Sequence, residues 1–339
     1  MARARSIAVL LVALIAPGLI APGMGWADVN AWRAAGWKTD FSRHAVDPAE
    51  ILSGGPPRDG IPSIDAPIFK RAAEIADIGA NEPVIRLELQ GEVRAYPLRI
   101  LTWHEIVNDT INGRPVAITY CPLCNSAVVF DRRVDGMVLE FGVSGLLRNS
   151  DLVMYDRATE SWWQQFSGEA IVGALTGKTL GMIPSRVMGF AAFKAAHPDG
   201  LVLVANDPGL RPYGMNPYVG YDGRSAPYPL YRGDLPRAIN PMLRVVVVRD
   251  GGAVHAVTLA HVRARREVVM DGIRLAWRPG VNSALDQGVI AEGADVGALA
   301  VTRAATAEPL VHDITFAFVV HAFHPGITVL TEQGPVKLD

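Results

Sequence analysis

The chain of 339 residues contains only two cysteines, and they stand together as Cys121-Pro122-Leu123-Cys124. A Cys-x-x-Cys pair at the end of a strand puts two sulfurs on one tight turn, where they can close a small disulfide or grip one soft metal ion. The apolar run Val116 to Tyr120 directly before the pair reads as that strand. Upstream, Thr102-Trp103-His104-Glu105-Ile106 carries the nearest histidine on that side. The reading is that Cys121, Cys124 and His104 form one site. Two thiolates and an imidazole suit Cu(I), Cu(II) or Zn(II). Zinc fits less well, because a closed zinc site takes four protein ligands and the cysteines are exhausted. Copper tolerates two or three ligands with a weak thioether, and Met154 is the candidate for it, although a lone Met in a strand ordinarily packs the core.

Two rivals stand beside the metal reading. One is a metal-free thiol–disulfide protein, and the other a non-enzymatic binding or scaffold module with an incidental disulfide. A bridge across two residues constrains the chain very little, so a purely structural disulfide is a poor use of this spacing. The thioredoxin-like context is missing, since Ser126 to Asp131 reads as a strand rather than a helix. Attachment of c-type haem is excluded, because Asn125 stands where Cys-x-x-Cys-His needs histidine. No Gly-rich phosphate loop, His-Glu-x-x-His or Gly-x-Ser-x-Gly is present, which removes the motif-borne nucleotide and hydrolase readings. Around the proposed ligands, Arg148, Asn149, Asp151, Asp156 and Arg157 form a dense polar run. It is read either as a turn with local ion pairs or as the polar surround of the cysteines. Trp163 reads as core or pocket wall. Tyr213, Tyr218 and Tyr221, with Asn216 and Asp222, are placed to lid the site. Glu105 points elsewhere on its helix and reads as solvated.

The elements that must position these residues read as β-rich α+β. Residues 28–80 form an N-terminal arm with scattered aromatics. A site-bearing unit covers 81–205. Within it, Val84 to Leu89 and Val93 to Tyr96 flank a hairpin signal at Gln90-Gly91, and Pro97 to Val107 reads as a helix. Gly142 to Arg148 reads as a loop, and Ser185 to Ala196 as a helix capped by Ser185. Residues 206–241 are a Pro-, Gly- and Tyr-rich insert, and 242–339 a second unit. Gly91 to Leu101 aligns with Gly252 to Val262, and Pro122, Asn125, Ser126 and Ala127 with Pro279, Asn282, Ser283 and Ala284. The chain thus reads as two degenerate pseudo-repeats. The second has Arg278 and Val281 where the first has its cysteines, and Arg265 in place of His104. The site therefore belongs to one half only.

Arg3 and Arg5, the apolar run Ile7 to Ile20 and the small residues Gly25 and Ala27 read as a signal peptide over 1–27, cut after Ala27. The mature chain is then expected in a periplasm or secreted, with no later stretch apolar enough to span a membrane. Net charge is −2, without a basic stripe, so nucleic acid is not expected as a partner, and no particular protein partner is indicated.

Several long motifs resemble one family. They are Leu101 to Asp109, Tyr120 to Ser126, Phe141 to Asp156, Trp163 to Glu169 and Tyr213 to Asp222. Together they resemble the domain-of-unknown-function family 3179 across most of 80–330. The resemblance implies an exported bacterial or archaeal protein with a Cys-Pro-x-Cys block, and it carries no activity. In the last helix, Val319-Val320-His321 departs from the more aromatic, alanine-rich run expected, which keeps His321 out of the candidate site.

Overall fold

The computed structural model describes residues 25–339. The targeting segment expected over 1–27 lies outside them except for its last three positions, which open the helix Gly25–Ala34. Strand outweighs helix, 41% against 15%, in small sheets arranged like the blades of a five-bladed propeller. The β-rich character expected from sequence is present, while the α+β reading with two pseudo-repeats holds only in part, because the strands form separate small sheets with few helices.

Two of the sheets are built to one plan. The first has the strand order Arg186–Gly189, Pro83–Leu89, Glu92–Pro97, Leu201–Val204 and Ile68–Arg71. The second has the order Val311–Phe316, Arg244–Asp250, Ala253–Thr258, Thr328–Thr331 and Gly334–Lys337. In both, a hairpin runs directly into a short helix, Leu98–His104 or Leu259–Arg265. In both, a later strand–helix–strand run returns, through helix Phe190–Ala196 or Ala317–Phe323, to lie parallel to the second hairpin strand. The aligned glycines Gly91 and Gly252 sit in the two hairpin turns at φ +83° and +89°, where a side chain would be strained. The run Arg244–Asp250 shows why such strands form: four consecutive buried valines, stiff at χ1, pack well on both faces of a covered sheet.

The helices Leu98–His104 and Leu259–Arg265 each hand the chain to the strands of a neighbouring sheet. In the first half these strands are Ile106–Ile111, Arg114–Cys121 and Ser126–Asp131, edged by Met182–Ile183. In the second they are Glu267–Met270, Ile273–Arg278 and Ala298–Arg303. The first half also carries a sheet with no counterpart among the described residues of the second. Its order is Ile51–Ser53, Phe141–Arg148, Asp151–Asp156, Trp162–Gln164 and Ala170–Val172. The N-terminal arm closes its outer face: Trp32, Trp37 and Phe41 gather on Trp162 at centroid distances of 4.8, 5.2 and 5.3 Å.

Three local expectations are corrected. The helix expected over Pro97 to Val107 stops at His104, because Glu105 takes φ +58° and Ile106 starts a strand. Gly142 to Arg148 is an eight-residue strand with Phe141, kinked by a bulge between Val143 and Leu146 where Gly145 adopts φ +76°. Arg186–Gly189 is a strand, and the helix begins only at Phe190. In each case sheet pairing overrode local propensity. The 206–241 stretch contains no strand, only the single 3₁₀ turn Tyr221–Gly223.

Candidate metal centre

The strand Arg114–Cys121 ends at the first cysteine, and Pro122 to Asn125 turn the chain into Ser126–Asp131. Asn125 closes the turn at φ +53°, and its N–H donates to Pro122 O at 3.1 Å. Proline just after Cys121 presets φ there, and Asn tolerates the left-handed position. Both thiols are free and fully buried.

A second hairpin end meets this one. Phe141–Arg148 and Asp151–Asp156 are joined by two residues, Asn149 and Ser150, at φ +53° and +61°. Positive φ at both central residues is the hairpin geometry that matches strand twist, and it strains Ser150 in particular. The turn aims Ser150 C=O at the sulfurs: it accepts from Cys124 Sγ at 3.4 Å and Cys121 Sγ at 3.7 Å. The next residue, Asp151, is fully buried, and its carboxylate lies with both sulfurs, all three donors within 4.8 Å of one another. Asp151 Oδ2 accepts from Gln164 Nε2 at 2.6 Å and Phe166 N at 2.9 Å. Its Oδ1 has no hydrogen-bond partner among the described residues.

The centre is strongly desolvated. Burial pushes Asp151 up to about 7 against the bonds from Gln164 and Phe166. Burial raises both thiols, Cys124 well above its usual range. Glu105 is also buried, contrary to the solvated role expected of it, and burial with the nearby Asp151 pushes it up to about 8. Neither carboxyl has an ion-pair partner among the described residues. Two thiols and two carboxyls thus share one apolar region without a paired cation, which favours their neutral forms or a bound positive charge.

The other expected residues are placed as follows. His104 is not brought to the cysteines: its Nδ1 bonds Pro62 O at 2.7 Å and its Nε2 bonds Tyr213 OH at 2.7 Å, so both ring nitrogens are occupied. Asp151 stands where His104 was expected. Met154 is fully buried in the same apolar cluster as both cysteines, but strand alternation turns it to the face opposite Asp151. Asp156 accepts from Trp163 Nε1, Thr159 N and Thr159 Oγ1, so it organises its own turn, with the Trp163 indole in the core beside it. Arg148 pairs with Glu50 at 2.7 Å on the outer strand. Tyr221 does reach the cysteine turn: fully buried, it donates its hydroxyl to Leu123 O at 2.9 Å and stacks on Tyr228 at 4.5 Å. The insert therefore covers the turn.

The turn is also seated on the second half. Thr315 Oγ1 donates to Cys124 O at 2.7 Å, Asn125 Nδ2 to Ile314 O at 2.8 Å, and Ser126 Oγ to Asp313 Oδ2 at 2.5 Å. Asp151 was legible only as part of a polar run. The signal that singles it out is Asn149-Ser150, a two-residue turn that brings the next side chain back to the strand end.

The chain belongs to the family described as Protein of unknown function (DUF3179), whose model matches residues 58–327. No curated protein and no solved structure matches it.

Proposed function

We propose that this DUF3179 protein is an exported metal-binding protein that holds one ion between Cys121 Sγ, Cys124 Sγ and the Asp151 carboxylate. The observation that carries the reading is the convergence of these donors within 4.8 Å at a fully buried point. The unpartnered Asp151 Oδ1 supports it. A buried polar atom left without a partner costs about 1–3 kcal/mol, and a cation shared with two sulfurs removes that cost. Two sulfurs and a carboxylate oxygen lie in the donor range of zinc. A hard carboxylate in place of an imidazole moves the preference away from Cu(I). Copper is the second reading, favoured by the paired sulfurs on one turn. Thiol–disulfide exchange has the sulfurs' proximity in its favour, but exchange needs an accessible thiolate, and both sulfurs are covered. Export rests on the N-terminal pattern of Arg3, Arg5, the apolar run and Gly25 and Ala27.

Elemental analysis of the mature protein, beside Cys121→Ser/Cys124→Ser, tests the reading. The expected result is about one equivalent of zinc or copper in the wild type, lost in the variant. A metal-free wild type whose thiols oxidise and reduce reversibly would overturn it.

A further inference from the structure

A groove with a cavity volume of about 660 Å³ lies away from the cysteines, where the first-half sheets meet the second half. Its cationic lining is Arg86, Arg114 and Arg186; Glu88 and Glu308 are its acids, and Met182, Pro184 and Leu310 are among its apolar walls. Most of these charges are already matched. Arg86 pairs with Glu88, Arg114 with Asp131 at 3.0 Å, and Glu308 with Arg303 at 3.3 Å. Arg186 is different. It has no ion-pair partner among the described residues, and its Nε is buried without a hydrogen-bond acceptor. It also stands directly opposite Arg86 in the antiparallel pairing of Arg186–Gly189 with Pro83–Leu89. Like charges directly opposed across a strand pair are destabilising. Burial and Arg86 push the Arg186 guanidinium down, against a smaller upward pull from Glu88.

We infer that this groove binds a small organic carboxylate, with its head group on the Arg186 guanidinium and its apolar body along the Met182 and Leu310 wall. A guanidinium presents a planar fork that matches a carboxylate bidentately. The volume falls in the range of small-molecule sites, and the lining combines an apolar wall with charged and polar groups able to hold a head group, of which Arg186 alone among the arginines lacks an ion-pair partner among the described residues. The anion relieves the Arg86–Arg186 repulsion, which gives binding a source of energy that a neutral ligand lacks. The site is separate from the cysteine centre, so the two readings stand or fall independently.

Calorimetric titration tests it with hexanoate as probe, hexanol as the neutral control and inorganic phosphate as the head-group control. The expected result is saturable one-site hexanoate binding to the wild type, weakened about 10-fold or more in Arg186→Gln, as loss of a charged hydrogen-bonded pair implies. Metal content in Arg186→Gln should stay at the wild-type value. If Arg186→Gln does not fold by circular dichroism, Arg186→Lys decides: it keeps the charge but loses the fork, and it should still weaken hexanoate. Absent hexanoate binding, equal binding by the folded variant, or equal binding of phosphate or hexanol would each overturn the proposal.

Discussion

The two halves place aligned sequences at the ends of corresponding strands and use them differently: Pro122 to Asn125 close a tight hairpin, whereas residues 279–297 make a long loop before the next strand. In the first, Arg114–Cys121 runs into Cys121-Pro122-Leu123-Cys124-Asn125; in the second, Ile273–Arg278 runs into Arg278-Pro279-Gly280-Val281-Asn282. Each turn has an aspartate beside it. Asp295 is spent on the backbone: its carboxylate accepts from Gly280 N at 2.9 Å, Val281 N at 3.2 Å and Gly297 N at 2.8 Å. Asp151 gives one oxygen to Gln164 and Phe166 and leaves the other without a partner beside two sulfurs. At the preceding helix ends, Glu105 and Arg266 share a left-handed φ of +58° and +65°. Glu105 is buried near the thiols, whereas Arg266 lies over the Trp277 ring at 4.5 Å. Corresponding strand ends thus lead into a loop fastened by its own aspartate in one half and a donor-rich centre in the other. The difference teaches that an acid is free to bind an ion only where backbone donors do not already consume it.

The largest expected effect comes from Asp151→Asn. The amide keeps the shape and the neighbours but removes the charge, so metal affinity should fall by more than the roughly 10–100-fold typical of losing an outer-shell partner. Wild-type protein at metal 100-fold above its dissociation constant should gain about 2.7 kcal/mol. The variant should gain almost none, while its metal-free stability stays equal or rises, because a buried acid has been removed. Paired denaturation curves with and without metal check this. If the variant gained as much as the wild type, Asp151 would be no different from Asp295.

The strand that seats the cysteine turn supplies the next test. Half-buried His312 has its pKa depressed to about 4, chiefly by burial. Its Nδ1 bonds Leu310 O, and Arg186 and Arg249 add repulsion to the charged form. A histidine held neutral in the fold takes up its proton more readily when unfolded. Its stabilising contribution is therefore complete above about pH 6.5 and lost as pH falls towards 4. The full shift would be worth about 3 kcal/mol, and partial solvation of the ring reduces this to about 2. His312→Gln should flatten that window in stability measured against pH. An unchanged profile would remove His312 from the account.

Tyr221→Phe deletes only the hydroxyl that reaches Leu123 O. It should cost about 1 kcal/mol and speed metal loss to a chelator, since the insert then covers the turn less firmly. Chelator-release kinetics report it. The smallest expected effect is none. Arg278→Cys/Val281→Cys copies the cysteine spacing into the second half, where Asp295 remains bound to backbone N–H groups. Elemental analysis should still find one equivalent, and a second would break the comparison.

The parts of this arrangement legible in sequence were those set by local pattern. The hairpin glycines Gly91 and Gly252 and the echo of Asn125-Ser126-Ala127 in Asn282-Ser283-Ala284 pointed to the two like-built sheets. The cysteine spacing pointed to the turn. What sequence hid was the third donor, because it depends on how far a hairpin reaches. Asp151 returns to the cysteines only through the two-residue turn at Asn149 and Ser150, from a partner strand whose own glycines, Gly142 and Gly145, made it look like a loop. His104 was attractive because it lies near in sequence, yet its ring is consumed by Pro62 and Tyr213, two segments that only the fold brings together. Glu105 looked solvated as a helix residue, and it is buried because the helix ends one residue earlier.

The most direct test of the central claim is X-ray absorption at the edge of whichever metal the purified protein carries. The account predicts two sulfur neighbours, at about 2.3 Å if the metal is zinc, with oxygen completing the shell and no imidazole scattering. A shell containing imidazole, or one without sulfur, would contradict a centre built from Cys121, Cys124 and Asp151.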